Sequence, residues 1–321
     1  MQRGRLRLVL PDGSEKIIGG LGDEPRAEIR VKDAAFFRAC VLSGPVGFGE
    51  AYMDGLWETE DLVGVIAWFI RNADESTVLE GSGRTDLRIG LMNFAHKMAH
   101  QLRPNSRRTS RRNIQEHYDL SNDFFALWLD PTMTYSAAYW DQPGATLEQA
   151  QVRKYDVLCR KLRLQPSDHV LEIGSGWGGF SMHAAKNFGC RVTTVTISPA
   201  QFDEAARRIV AAALHDKIDL RLTDYRELTG QFDKIASIEM LEAVGDKYLD
   251  GYFAQCHRLL QRKGLLGLQY ITCPDGQYEV LRRGVDFIQR HVFPGSLLNS
   301  IGRVNTALNR TGDLFLHDLD D

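Results

Sequence analysis

The apolar-rich run 6–10 and the run 15–18, two polar residues followed by two apolar ones, flank the turn sequence Pro11-Asp12-Gly13 and predict a β-hairpin. Residues 27–31 read as a third strand. From 36 to 42 and from 59 to 71 the apolar spacing is helical, and Gly44-Pro45-Val46-Gly47-Phe48-Gly49 separates the two helices. This predicts a small α+β domain over residues 1–80. Its acids Glu50 and Asp54 read as structural acceptors, because no base or nucleophile lies beside them. Glu80-Gly81-Ser82-Gly83 begins a linker over 81–112 in which Leu87, Leu91, Phe94 and Met98 recur at helical spacing. Arg84, Arg88, Lys97, Arg103, Arg107, Arg108, Arg111 and Arg112 make it basic. It reads either as an amphipathic helix packing on its own protein or as an interfacial segment for anionic lipid headgroups.

The rest, 113–321, has a different rhythm. Helical patterns at 147–162, 181–187, 199–213 and 248–260 alternate with strand patterns at 170–173, 191–197, 219–222, 234–239 and 265–272. Alternation of this kind predicts an α/β fold with a mainly parallel sheet and helices on both faces.

Composition narrows the class without deciding it. With 43% hydrophobic and 25% charged residues the chain is an ordinary globular protein, and a net charge of −3 gives no reason to bind nucleic acid. No run reaches the roughly 18 apolar residues of a membrane span, and the polar hairpin after Met1-Gln2-Arg3-Gly4 is no signal-peptide core. A cytoplasmic protein is expected. Five scattered cysteines without C-x-x-C spacing argue against both a disulfide framework and a zinc site.

The chemistry centres on Val170-Leu171-Glu172-Ile173-Gly174-Ser175-Gly176-Trp177-Gly178-Gly179-Phe180, a strand, tight turn and helix start. Gly174, Gly176 and Gly179 satisfy G-x-G-x-x-G, which alone admits NAD, a flavin or S-adenosylmethionine. A dinucleotide site wants an acid about 20 residues on to hold the ribose, and here the next strand ends in Thr196. Glu172, two residues before the first glycine, is the acid that class I S-adenosylmethionine methyltransferases commonly carry there to organise the loop. Upstream, aromatics interleaved with His, Asp and hydroxyls run from His117 to Trp140 and suggest an apolar pocket with a few oriented polar groups.

Taken together, His117-Tyr118-Asp119-Leu120-Ser121-Asn122-Asp123-Phe124-Phe125, the Tyr135-Ser136 pair, the glycine turn, Val195-Thr196-Ile197-Ser198 with Gln201, and Phe293-Pro294-Gly295 resemble the cyclopropane fatty acid synthase family. Its members are S-adenosylmethionine-dependent enzymes that modify double bonds in lipid acyl chains. The resemblance runs from about Gly49 to the C-terminus. It implies a Rossmann-like class I methyltransferase domain with a sheet of the seven-stranded type. It also implies that Tyr135, Ser136, Gly174, Gly176, Thr196, Ile197 and Gln201 line the cofactor site, with Asp224 and Tyr225 flanking the adenine. The partners it implies are unsaturated phospholipid acyl chains, met peripherally at the inner face of the membrane; a second copy of the chain, as a homodimer, stays open.

An isolated alkene is a poor nucleophile, so it must be held in line with the sulfonium methyl in a site without water. Methyl transfer leaves a carbocation that aromatic faces and buried carboxylates can stabilise until a base removes a proton. The resemblance implies that the base is a bicarbonate held by a Glu, a His, a backbone group, a Cys and a Tyr. Glu242 and Ile271 stand at the Glu and backbone positions, Tyr118 at an active-site tyrosine, and His117 is a further candidate. Glu239 is a second acid there, facing the cofactor or capping the sheet.

Ala137 stands where many members have Cys, Gln269 where many have His, and the chain ends at Asp321, before the segment that supplies the last Tyr. Gln269 can donate a hydrogen bond but cannot titrate. Three outcomes stay open: cyclopropane formation or, with these substitutions, mid-chain methyl or methylene branching; a small-molecule methyltransferase on the same fold; and a non-catalytic relative that binds lipid or cofactor.

Overall fold

Period-two burial starts the fold: on β1 (Arg5–Val9) Leu6 enters a core, while Arg7 points to the other face and pairs with Glu28 at 2.7 Å and with Glu15. The computed structural model describes residues 3–20, 26–72 and 121–320, so the basic segment 81–112 and the His117–Tyr118 positions lie outside the described residues. The described residues form two compact units. One holds 3–20, 26–72 and Val285–Arg290; the other holds 121–284 and 291–320.

In the first unit β1 pairs antiparallel with β2 (Glu15–Gly19) and parallel with β3 (Arg26–Val31), and β3 pairs antiparallel with β4 (Trp57–Glu58). The helices α1 (Ala35–Met53) and α2 (Leu62–Arg71) complete a core of Leu6, Ile29, Val31, Phe36, Trp57, Val65 and Trp68. The break expected at Gly44–Gly49 is only a kink. Gly44 takes φ +55°, Pro45 restarts the helix where no N–H is needed, and Gly47 lies so close to the Ala39 carbonyl that a Cβ would stand at 2.1 Å. The second helix starts three residues later than its pattern suggests, where the Asp61 carboxylate accepts from Gly64 N at 2.8 Å. Glu50 pairs with Arg290 at 2.8 Å.

The second unit carries five parallel strands: β5 (His169–Ile173), β6 (Arg191–Thr196), β7 (Ile218–Leu222), β8 (Phe232–Ile238) and β9 (Leu260–Gln269), in the order β7-β6-β5-β8-β9. These five, rather than seven, are the strands of its sheet among the described residues. Alternate side chains feed two cores. Leu171, Ile173, Val195 and Ile235 pack under α7 (Asp246–Leu259) and α9 (Ile301–Thr311), whereas Val170, Val192 and Ala236 pack under α4 (Leu147–Lys161), α5 (Gly179–Asn187) and α6 (Pro199–Ala211). α3 (Asn122–Ala126) and α8 (Asp275–Arg283) are short. β9 begins as α7 ends, five residues before the expected strand, with a register shift opposite Phe232 and Lys234. The sequence pattern also misses α9, which Arg303 ties to α7 through Asp246 at 2.7 Å and Asp250 at 2.9 Å. No described helix is long and apolar enough to cross a membrane.

Leu171 is fully buried on the central strand. Leu171→Ala should therefore cost about 2–5 kcal/mol in urea unfolding; a loss under about 1 kcal/mol would contradict this placement.

Candidate active site

The turn after β5 is built from left-handed backbone: Gly174 has φ +95°, Gly176 +48° and Gly178 +85°. Gly174 N and Ser175 N both donate to Val195 O, at 3.1 and 2.9 Å, locking the turn to β6. The third glycine of the motif serves packing, since a Cβ on Gly179 would stand 2.4 Å from the Tyr155 hydroxyl oxygen. The turn is left open at the C-terminal ends of the strands, where ligands of α/β sheets bind.

A cavity of about 150 Å³ opens there, and Tyr135, Ser136, Glu172, Gly174, Gly176, Thr196, Ile197, Gln201, Asp224 and Tyr225 all line it. Thr196 Oγ1 donates to Gln201 Oε1 at 2.8 Å, and Ser198 caps α6 by accepting from Gln201 N at 3.3 Å. Asp224 holds the next turn by accepting from Arg226 N at 2.9 Å, and it grips the Arg226 guanidinium with both oxygens, at 2.8 and 2.6 Å.

Three acids surround the end of β8. Glu172 is buried and accepts from Thr194 Oγ1 at 2.5 Å; burial pushes its carboxyl up to about 8, against the hydroxyl bonds from Thr194 and Ser181. Glu239, with φ +46°, accepts at Oε1 from Ala137 N at 2.7 Å and from Gln269 Nε2 at 3.2 Å. Gln269 Nε2 also donates to Ala137 O at 3.1 Å, so the three residues close a ring. Burial raises the Glu239 carboxyl, opposed by these bonds and by Lys154. Glu242 is pushed up to about 7 by burial, against the bond that Oε1 accepts from Ile271 N; its Oε2 is buried with no hydrogen-bond partner among the described residues.

The residues implied by resemblance thus fall into two groups. The ten cofactor candidates share the cavity, whereas Glu242, Gln269 and Ile271 stand beside it rather than on its wall. Glu239, the second acid in the sequence reading, is the one that lines it.

The model of the mycolic acid cyclopropane synthetase family matches residues 105–319. A probable fatty acid methyltransferase of Pseudomonas putida is 35% identical over 96% of this chain and 74% of its own length. The chain belongs to the mycolic acid cyclopropane synthetase family. The tuberculostearic acid methyltransferase UfaA1 of Mycobacterium tuberculosis is 37% identical over 92% of this chain and 68% of its own, and the cyclopropane-fatty-acyl-phospholipid synthase of Escherichia coli K12 is 36% identical over 87% and 68%. Among solved structures, the mycolic acid cyclopropane synthase CmaA1 complexed with SAH and CTAB superposes with a TM-score of 0.58 at 34% identity, covering 63% of this chain and 74% of that one. The protein is an S-adenosylmethionine-dependent methyltransferase on the class I fold.

Within this family's site the structure adds residues that the sequence reading missed. Met133, Trp177, Arg226, Met240 and Phe293 line the same cavity. Met133, like Glu239, has positive φ, the kind of backbone strain that gathers at functional sites. Phe293 was visible only as part of a motif. Gln151 and Lys154 stand behind Ser136, and their sequence signal was two polar residues three apart on the buried face of α4.

Glu242 holds its proton more tightly in the folded than in the unfolded chain, so its contribution to stability is complete below its unfolded value and is lost as pH rises through about 7. Between about pH 5 and about pH 8.5 the wild type should lose on the order of 2–3 kcal/mol more than Glu242→Gln in urea unfolding. Equal slopes in the two proteins would contradict the buried placement.

Proposed function

We propose that the protein transfers the methyl carbon of S-adenosylmethionine to the double bond of an unsaturated fatty acyl chain in a phospholipid, forming a cyclopropane ring at the membrane surface. The observation that carries this reading is the junction between the cofactor cavity and the two acids. The Tyr135-Ser136 loop that walls the cavity is bonded through Ala137 N to Glu239, and Glu242 stands three residues on. The wall fits the cofactor: backbone without side chains at Gly174 and Gly176, the apolar surfaces of Tyr225, Met240 and Phe293, and acids suited to a cation.

When bound, S-adenosylmethionine supplies an electrophilic methyl group. Phe125, Trp128, Tyr135 and Trp177 pack ring to ring, with Phe125 5.4 Å from Tyr135 and 5.1 Å from Trp177, and Tyr135 and Trp177 bring aromatic surface to the cavity wall. Glu239 offers negative charge at the cavity wall. Glu242 Oε2 is the proton acceptor, since a carboxyl raised to about 7 is matched to base work near neutral pH. The described residues do not fit bicarbonate: Ile271 N is committed to Glu242 itself, and the Gln269 amide to Ala137 O and Glu239. No step is therefore assigned to it. His117 and Tyr118, for which catalytic roles are proposed, lie outside the described residues.

A second reading, in which a methyl or methylene branch forms instead of a ring, rests on Gln269, whose amide cannot titrate, and one relative is named a tuberculostearic acid methyltransferase. Peripheral association with a membrane surface is supported by α2, which exposes Val63, Ile66 and Ile70.

The test is to incubate the protein with S-adenosylmethionine and dioleoyl-phospholipid vesicles and to record NMR spectra of the recovered fatty acids. Upfield ring protons are expected. Vinylic methylene or new methyl-branch signals would establish the second reading, and unchanged lipid would overturn both. Glu242→Gln should lower turnover by about 10²–10⁴-fold without weakening S-adenosylhomocysteine binding.

A further inference from the structure

Lys154 on α4 is 4% exposed, and its hydrogen-bond partner among the described residues is a hydroxyl rather than a carboxylate. Its Nζ is 2.5 Å from Ser136 Oγ and 5.1 Å from the centre of the Tyr155 ring. One helical turn earlier, Gln151 is 2% exposed and its Nε2 donates to Ser136 O at 2.8 Å. A buried ammonium is costly and persists where its charge is used. An ammonium carries donors only, so Ser136 Oγ must accept from it and has its own O–H left to give. Ser136 lines the cofactor cavity. The ionisable acids and bases on that wall are Glu172, Asp224 and Glu239 and the cation Arg226, which Asp224 already grips. An anion entering the cavity near Ser136 would find Lys154 as its nearest uncommitted positive charge among the described residues.

We infer that Lys154 is a positioning residue that turns the Ser136 hydroxyl into a charge-assisted donor for the carboxylate of the cofactor's amino-acid half. The inference rests on the reading of this cavity as the S-adenosylmethionine site. Burial pulls the Lys154 ammonium down to about 8, while Glu239 and Asp130 pull the other way, so it stays largely charged at neutral pH. Gln151 holds the loop by its backbone and leaves the hydroxyl to Lys154.

The test compares two probes by titration calorimetry: S-adenosylhomocysteine, which carries the carboxylate, and 5′-methylthioadenosine, which has the same adenosine thioether without it. Lys154→Met should weaken S-adenosylhomocysteine about tenfold or more and leave 5′-methylthioadenosine unchanged. Lys154→Arg should restore most of the affinity. Ser136→Ala, which removes the donor together with the oxygen that accepts from Lys154, should show the same selective loss. Equal weakening of both probes by Lys154→Met and Ser136→Ala, or no weakening of either, would overturn the role of Lys154 while leaving the cofactor site standing. A wild type that binds neither probe would overturn the cofactor reading, and this inference with it.

Discussion

Between a buried strand and a buried helix, the backbone has only the residues after Ile173 in which to reverse while keeping its edge open to a ligand. L side chains rarely tolerate the conformations this needs, and Gly174 and Gly176 supply them. The single acceptor Val195 O takes two N–H groups from the turn, so the end of β6 sits where the cofactor wall requires it. From that end Thr196 reaches Gln201, and on the far side of β5 the end of β8 delivers Glu239 and Met240. The geometry of the site follows from one turn and its two flanking strands.

Electrostatics then shapes what the turn exposes. Glu172, Glu239 and Glu242 are all raised by desolvation, the first two on the cavity wall and the third beside it. Burial disfavours their charged forms, and an arriving cation favours them. A sulfonium ligand suits such a wall better than a dinucleotide with its phosphates. The loop facing these acids is fixed from behind by Gln151 and Tyr155, the latter through Thr134 Oγ1 at 2.5 Å.

Much of this was legible in the sequence because it rests on local patterns. The glycine turn, the Thr196 strand end and the Tyr135-Ser136 pair are contiguous signals, and the residues they nominated meet on one cavity. The alternation of strand and helix patterns likewise predicts a mainly parallel sheet with helices on both faces. What was hidden depends on distance in the chain. The Ala137-Gln269-Glu239 ring joins residues more than a hundred positions apart, and nothing local told Gln269 which oxygen to meet. The glycine–proline pair reads as a break in the sequence, but in α1 it only kinks a helix that packing then continues. β9 was placed late because polar residues at its start, Gln261 to Lys263, masked the strand.

The central claim is that the cavity above β5 and β6 holds S-adenosylmethionine against the acids at the end of β8. A crystal structure of the protein grown with saturating S-adenosylhomocysteine tests it most directly. The account predicts the ligand in the cavity bounded by Ser136, Gly174, Gln201 and Tyr225. An empty cavity at saturation, or the ligand bound elsewhere on the molecule, would contradict it.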